Sequence, residues 1–185
     1  MPLASSLTQE EPEHLYLGTI TALTVIVAPF KTQFVAPVEV YVQPEPLMVA
    51  ASINRQCLTH EYITDSKVFT VSILSQEVPM SFIGDFGFKS GRNTDKFERV
   101  RYKMGQTSVP IILDNTVAFL EAEVTESIDV ITHTLFIAKV VACETLDEDA
   151  EPMTYNYYRD IKHGRTPKTA ATYIKVKPKA KLKEE

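Results

Sequence analysis

The stretch that decides the fold is Val117-Ala-Phe-Leu-Glu-Ala-Glu-Val-Thr-Glu-Ser-Ile128, followed by Asp129-Val-Ile-Thr132 and His133-Thr-Leu-Phe-Ile-Ala-Lys-Val-Val-Ala-Cys-Glu-Thr-Leu146. Two long runs rich in β-branched and aromatic residues flank a short link, so the segment reads as a β-hairpin. Working outward, more strands are expected at Thr19–Ala28, Phe34–Val42, Leu47–Ile53 and Lys67–Leu74. Pro37 interrupts the second of these, while Val38, Val40 and Val42 alternate after it. Short helices are expected at Leu58–Asp65, with Thr59 as its cap, and at Glu77–Phe86, with a loop-and-helix region on to Pro110. Some seven strands without regular βαβ alternation point to one antiparallel barrel rather than a doubly wound sheet.

At 185 residues, 44% hydrophobic and 23% charged, the chain has the composition of one globular domain. No apolar run reaches the roughly 18 residues of a membrane span. Residues 1–13 are acidic, without the basic start of a secretory signal, and are expected to be a flexible segment before a domain at 14–174. Two distant cysteines, Cys57 and Cys143, argue against a disulfide scaffold or a zinc ribbon and suit a reducing cytoplasm. The net charge of −5 is uneven: from Arg159 onward nine cations stand against three anions. The basic tail at 175–185 has no aromatic residue to stack on a base, so no nucleic-acid partner is expected, and no membrane partner either.

Hydrolase elbows, Walker loops, dinucleotide fingerprints and zinc-protease motifs are all missing from the sequence. What the chain offers instead suits a flat, phosphorylated ligand. Ser52, Asn54, Arg55 and Thr59 fall where an apolar strand gives way to a helix, whose first amides are free for phosphate. Phe86-Gly-Phe-Lys-Ser-Gly-Arg-Asn-Thr-Asp-Lys-Phe97 brings glycines together with Lys89, Ser90, Arg92 and Lys96, the groups that hold anions. His133 opens a strand just behind a turn, and Tyr155, Tyr157 and Tyr158 form an aromatic cluster. Cys57 and His60, three apart, read as packing residues more readily than as a catalytic thiol and its base.

Taken in order, six segments between Leu47 and Ile174 resemble the flavin reductase family of FMN-binding split barrels. They are Ala51–Ile63, Val68–Ser75, Phe86–Phe97, Thr132–Val141, Pro152–Tyr158 and His163–Tyr173. The flavin domains fused to rubredoxin in anaerobes, and flavoredoxin, are the branch most like this chain. The resemblance implies a mainly β, antiparallel split barrel with a few short helices. It also implies a homodimer that binds FMN and takes electrons from NAD(P)H, passing them to a rubredoxin, a free flavin or a ferric acceptor. By position it carries over Ser52, Asn54, Thr59, Lys96 and His133 as cofactor-binding residues, with Arg55, Ser90, Arg92 and Tyr158 as further contacts.

The chain departs from the family pattern at several places. Residues 30–43 carry proline and valine where the family has a Gly-rich turn and polar side chains. Ile131 and Ala138 replace glycines on either side of the Thr132–Ile137 segment, and Ser108-Val109-Pro110 replaces Gly-Ala-Pro. These changes set a second reading beside the first: a split-barrel binding module with weakened or lost flavin binding and no turnover.

Overall fold

A computed structural model describes residues 20–28, 32–41 and 46–165, so the expected terminal segments at 1–13 and 175–185 lie outside the described residues. Six antiparallel strands close into a barrel in the order β1-β2-β3-β8-β7-β4, with β4 returning to β1. The strands are β1 (Ile20–Ala28), β2 (Thr32–Tyr41), β3 (Met48–Asn54), β4 (Val68–Leu74), β7 (Thr116–Val130) and β8 (His133–Thr145). A separate two-stranded ribbon, β5 (Tyr102–Met104) and β6 (Pro110–Ile112), lies against the barrel wall. Three helices complete the fold: α1 (Leu58–Ser66), α2 (Met80–Phe88) and α3 (Tyr155–Asp160).

The hairpin is tighter than the sequence suggests. Both strands continue to Val130 and His133, which pair directly, so the turn is Ile131-Thr132 alone. Pro37 pairs with Leu23 of β1, and β2 pairs with β3 only from Glu39 to Tyr41, so Pro37 has a ladder on one side only. The helix expected from Glu77 begins at Met80, because Pro79 is extended (φ −66°, ψ 144°) and serves as its N-cap. No helix forms between Lys89 and Arg101; Ser90–Asn93 is a turn, and the two short strands β5 and β6 follow.

The barrel interior holds Ile26, Val49, Ile53, Phe69, Val71, Leu120 and Phe136, with Ala28, Ala51, Ala122 and Ala138 making room for the two rings. Ile63 of α1 joins this cluster, so the helix plugs the barrel end at which β3 finishes and β8 begins. Each fully buried Phe or Ile side chain adds about 1.5–3 kcal/mol. The outward side of β4 is buried too, beneath the ribbon. Thr70 Oγ1 donates to the Pro110 carbonyl at 2.7 Å and Ser72 Oγ to the Ile112 carbonyl at 3.3 Å, so neither buried hydroxyl lacks a partner. Below the ribbon a second cluster joins Leu74, Val78, Ile83, Phe86, Phe97, Ile112, Met153 and Tyr158.

Candidate functional site

The end of β3 leads straight into α1 and faces the start of β8, and most of the expected ligand residues gather there. Register puts Asn54 opposite His133 and His133 opposite Val130. The next rung on the same face is Ser52, Leu135 and Ile128, because directly paired residues and every second residue share a face. Ser52 is exposed and His133 half-buried. Asn54 is 5% exposed and uses its Oδ1 to accept the Gln56 amide at 2.9 Å, which shapes the turn into α1. Thr59, expected as the helix cap, is buried in the first turn; the N-cap is Cys57, which makes no side-chain capping bond. Among the described residues no side chain accepts from the first amides of α1, as the anion reading requires.

Lys96 is the second part of the candidate site. It is 7% exposed, and its Nζ donates to the Phe86 carbonyl at 2.6 Å. Burial lowers its pKa to about 8, against the partial support of Cys57 and Asp85 nearby. Burial likewise pushes the Cys57 thiol above its usual value, which Lys96 opposes. Lys96 also lines a cleft of about 340 Å³ between α2 and residues 94–100, shared with Phe82, Asp85, Lys89 and Arg99.

The loop carrying Ser90 and Arg92 is tied to α1. Arg92 pairs with Glu61, Gly91 sits close to Leu58, and Ser90 Oγ accepts the Arg92 amide at 3.2 Å. Arg92 is thus engaged with an exposed carboxylate, a pairing worth little in water and open to exchange for another anion.

A chain of contacts that the sequence did not reveal braces the hairpin turn. Thr134 Oγ1 donates to Asp129 Oδ1 at 2.6 Å, so it accepts from His60 Nε2–H at 2.8 Å, because a hydroxyl has one proton to give. Burial and then the Arg55 guanidinium hold His60 below its usual pKa, which favours the neutral ring. The Thr134 hydrogen bond, then Arg55, keep the Asp129 carboxyl below the usual range. Arg55 stands 3.7 Å from Asp129 and donates its backbone amide to the Thr132 carbonyl at 3.0 Å. His60 Nε2 is engaged with Thr134 and its ring lies 5.5 Å from Phe136; among the described residues it has no hydrogen bond to the Cys57 thiol. The sequence offered little sign of this brace: Thr134 follows His133, and Asp129 falls in the short link before it.

Tyr158 is placed differently. It packs in the second cluster with 7% of its surface exposed, and a Cβ built on Gly164 would fall 2.1 Å from its Cζ. Its neighbours Tyr155 and Tyr157 belong to the same short helix, whose N-cap Thr154 accepts the Tyr157 amide at 3.1 Å.

A model of the flavin reductase like domain matches residues 21–163. The chain belongs to the flavin reductase-like family. Among its relatives is the high molecular weight rubredoxin of Moorella thermoacetica, 47% identical over 70% of this chain. This chain spans 56% of the length of that relative. The ferric-chelate reductase (NAD(P)H) of Archaeoglobus fulgidus is 43% identical over 72% of this chain and 78% of its own length. The structure of flavoredoxin from Methanosarcina acetivorans superposes with a TM-score of 0.61, covering 74% of each chain at 20% identity, a likeness of fold. Among the described residues no helix is long and apolar enough to cross a membrane.

Proposed function

We propose that this flavin reductase-like protein binds FMN, takes hydride from NAD(P)H and delivers electrons to a separate acceptor. The observation that carries the reading is a buried ammonium, Lys96, on the loop that Arg92 and Gly91 tie to α1, a helix whose N-cap Cys57 makes no side-chain capping bond. A positive charge kept out of water needs an anion, and helix amides without a side-chain acceptor accept one as well. The donor set therefore fits a phosphorylated flavin.

In this reading Lys96, the first amides of α1 and the loop residues Ser90 and Arg92 hold the phosphate. Ser52, Asn54, Arg55, Thr59 and His133 hold the ring side, and Tyr158 supports from the core beneath. Bound FMN supplies the hydride-accepting and electron-releasing chemistry itself. The protein positions it, and the His60–Thr134–Asp129 chain keeps the turn that carries His133 in place. Cytoplasmic location, a homodimer, and a rubredoxin, a free flavin or a ferric complex as acceptor complete the proposal.

Anaerobic addition of NADH or NADPH to FMN-loaded protein tests it. The visible flavin band should bleach, and return when a ferric chelate is added. Bound flavin that neither nucleotide bleaches would leave a binding module without turnover.

A further inference from the structure

Ile131 occupies the first position of the two-residue turn between β7 and β8 with φ 46°, in the left-handed region. A β-branched residue is an outlier there, and a turn with positive φ at that position ordinarily takes glycine. The side chain is also 92% exposed, so packing within this chain does not hold it there. Backbone strain of this kind persists where the surroundings over-determine it. Here they do: the Arg55 amide holds Thr132, Thr134 holds Asp129, and Thr132 Oγ1 lies 2.9 Å from His133 Nδ1.

The strained residue directly follows two exposed apolar side chains. Val130 is 53% exposed and Ile128 48% exposed, and both lie on the face that carries Asn54, His133 and Ser52. Apolar surface beside a few fixed polar groups is the composition of a small-molecule site. We infer that Ile131 is a specificity-determining contact, its side chain lying against the flat heteroaromatic ring of a ligand held at Asn54 and His133. That ring is the isoalloxazine or the nicotinamide. The inference rests on the flavin reading above.

The test compares wild type with Ile131→Gly and Ile131→Leu by melting temperature, FMN titration, KM for NADH and NADPH, and size-exclusion chromatography. Glycine relieves the strain, so Ile131→Gly should melt about 2–4 °C higher while binding about tenfold more weakly. Ile131→Leu keeps the apolar bulk and should stay within about twofold of wild type in binding. A raised FMN Kd identifies the flavin ring as the contact; a raised KM with unchanged Kd identifies the nicotinamide. Unchanged Kd and KM in Ile131→Gly would overturn this inference alone. So would weaker binding with a lower melting temperature, which makes the residue structural, or a change of oligomeric state with binding intact, which makes these apolar side chains a subunit interface. Wild-type protein that takes up no flavin would overturn both readings together.

Discussion

Lys96 donates its buried ammonium to the Phe86 carbonyl at 2.6 Å, joining the Asp95–Phe97 segment to the last turn of α2. A lysine held near pKa 8 rather than 10.5 destabilises the fold by about 3 kcal/mol at neutral pH. Below pH 8 both folded and unfolded chains carry the proton and the full cost applies. Between about pH 8 and 10.5 the unfolded chain keeps the proton that the folded one has lost, so the cost fades as pH rises.

Lys96→Met should therefore raise the melting temperature at pH 7. Part of the gain is offset, because the Phe86 carbonyl loses its donor, at about 1 kcal/mol. The same variant should bind FMN about ten- to a hundredfold more weakly, as a charge-assisted contact is lost. In wild type, FMN affinity should fall as pH rises through about 8, and in Lys96→Met that dependence should be absent. Thermal melts and flavin titrations across this range check both statements. A variant that is less stable yet binds FMN normally would remove Lys96 from the site.

Among the described residues His133 makes one side-chain hydrogen bond, to its neighbour Thr132, and is half-buried. His133→Ala should shift the melting temperature by no more than about 2 °C and weaken FMN binding or alter the flavin spectrum. A large loss of melting temperature with an unchanged spectrum would make the histidine structural.

Gly164 approaches the Tyr158 ring so closely that a methyl group would overlap it, at 2.1 Å from Cζ. Gly164→Ala should destabilise the protein by about 3 kcal/mol, the upper range for overpacking. Denaturant unfolding measures this. Near-normal stability would show that the ring can swing out of the core, and Tyr158 would then be available as a stacking ligand.

The strands lining the barrel were legible because their apolar residues, many of them β-branched, lie in runs bounded by turn residues, as in β3, β4 and the β7–β8 pair. The ribbon was not: β5 and β6 have three residues each, too few for a period to show. α3 was hidden by its aromatic composition, although Thr154 three residues before Tyr157 was a capping signal. Glycine replacements misled more subtly. Ser108 and Ile131, read from the sequence as replacements of glycines, both have positive φ, at 61° and 46°, so the strain falls on residues with side chains. Ser52, Asn54 and His133 could be read as ligand residues from the motif, but their common face follows only from the strand register. The burial of Lys96 and the bracing of the turn through His60 depend on contacts between segments distant in sequence, which no local pattern records.

The most direct test of the flavin reading is titration of the apo-protein with FMN, following flavin fluorescence. Saturable binding with one FMN per chain is the predicted result, giving a yellow protein after gel filtration. Absence of binding at tens of micromolar FMN, an affinity weaker than about −6 kcal/mol, would contradict it and leave a split barrel whose buried Lys96 serves some other anion.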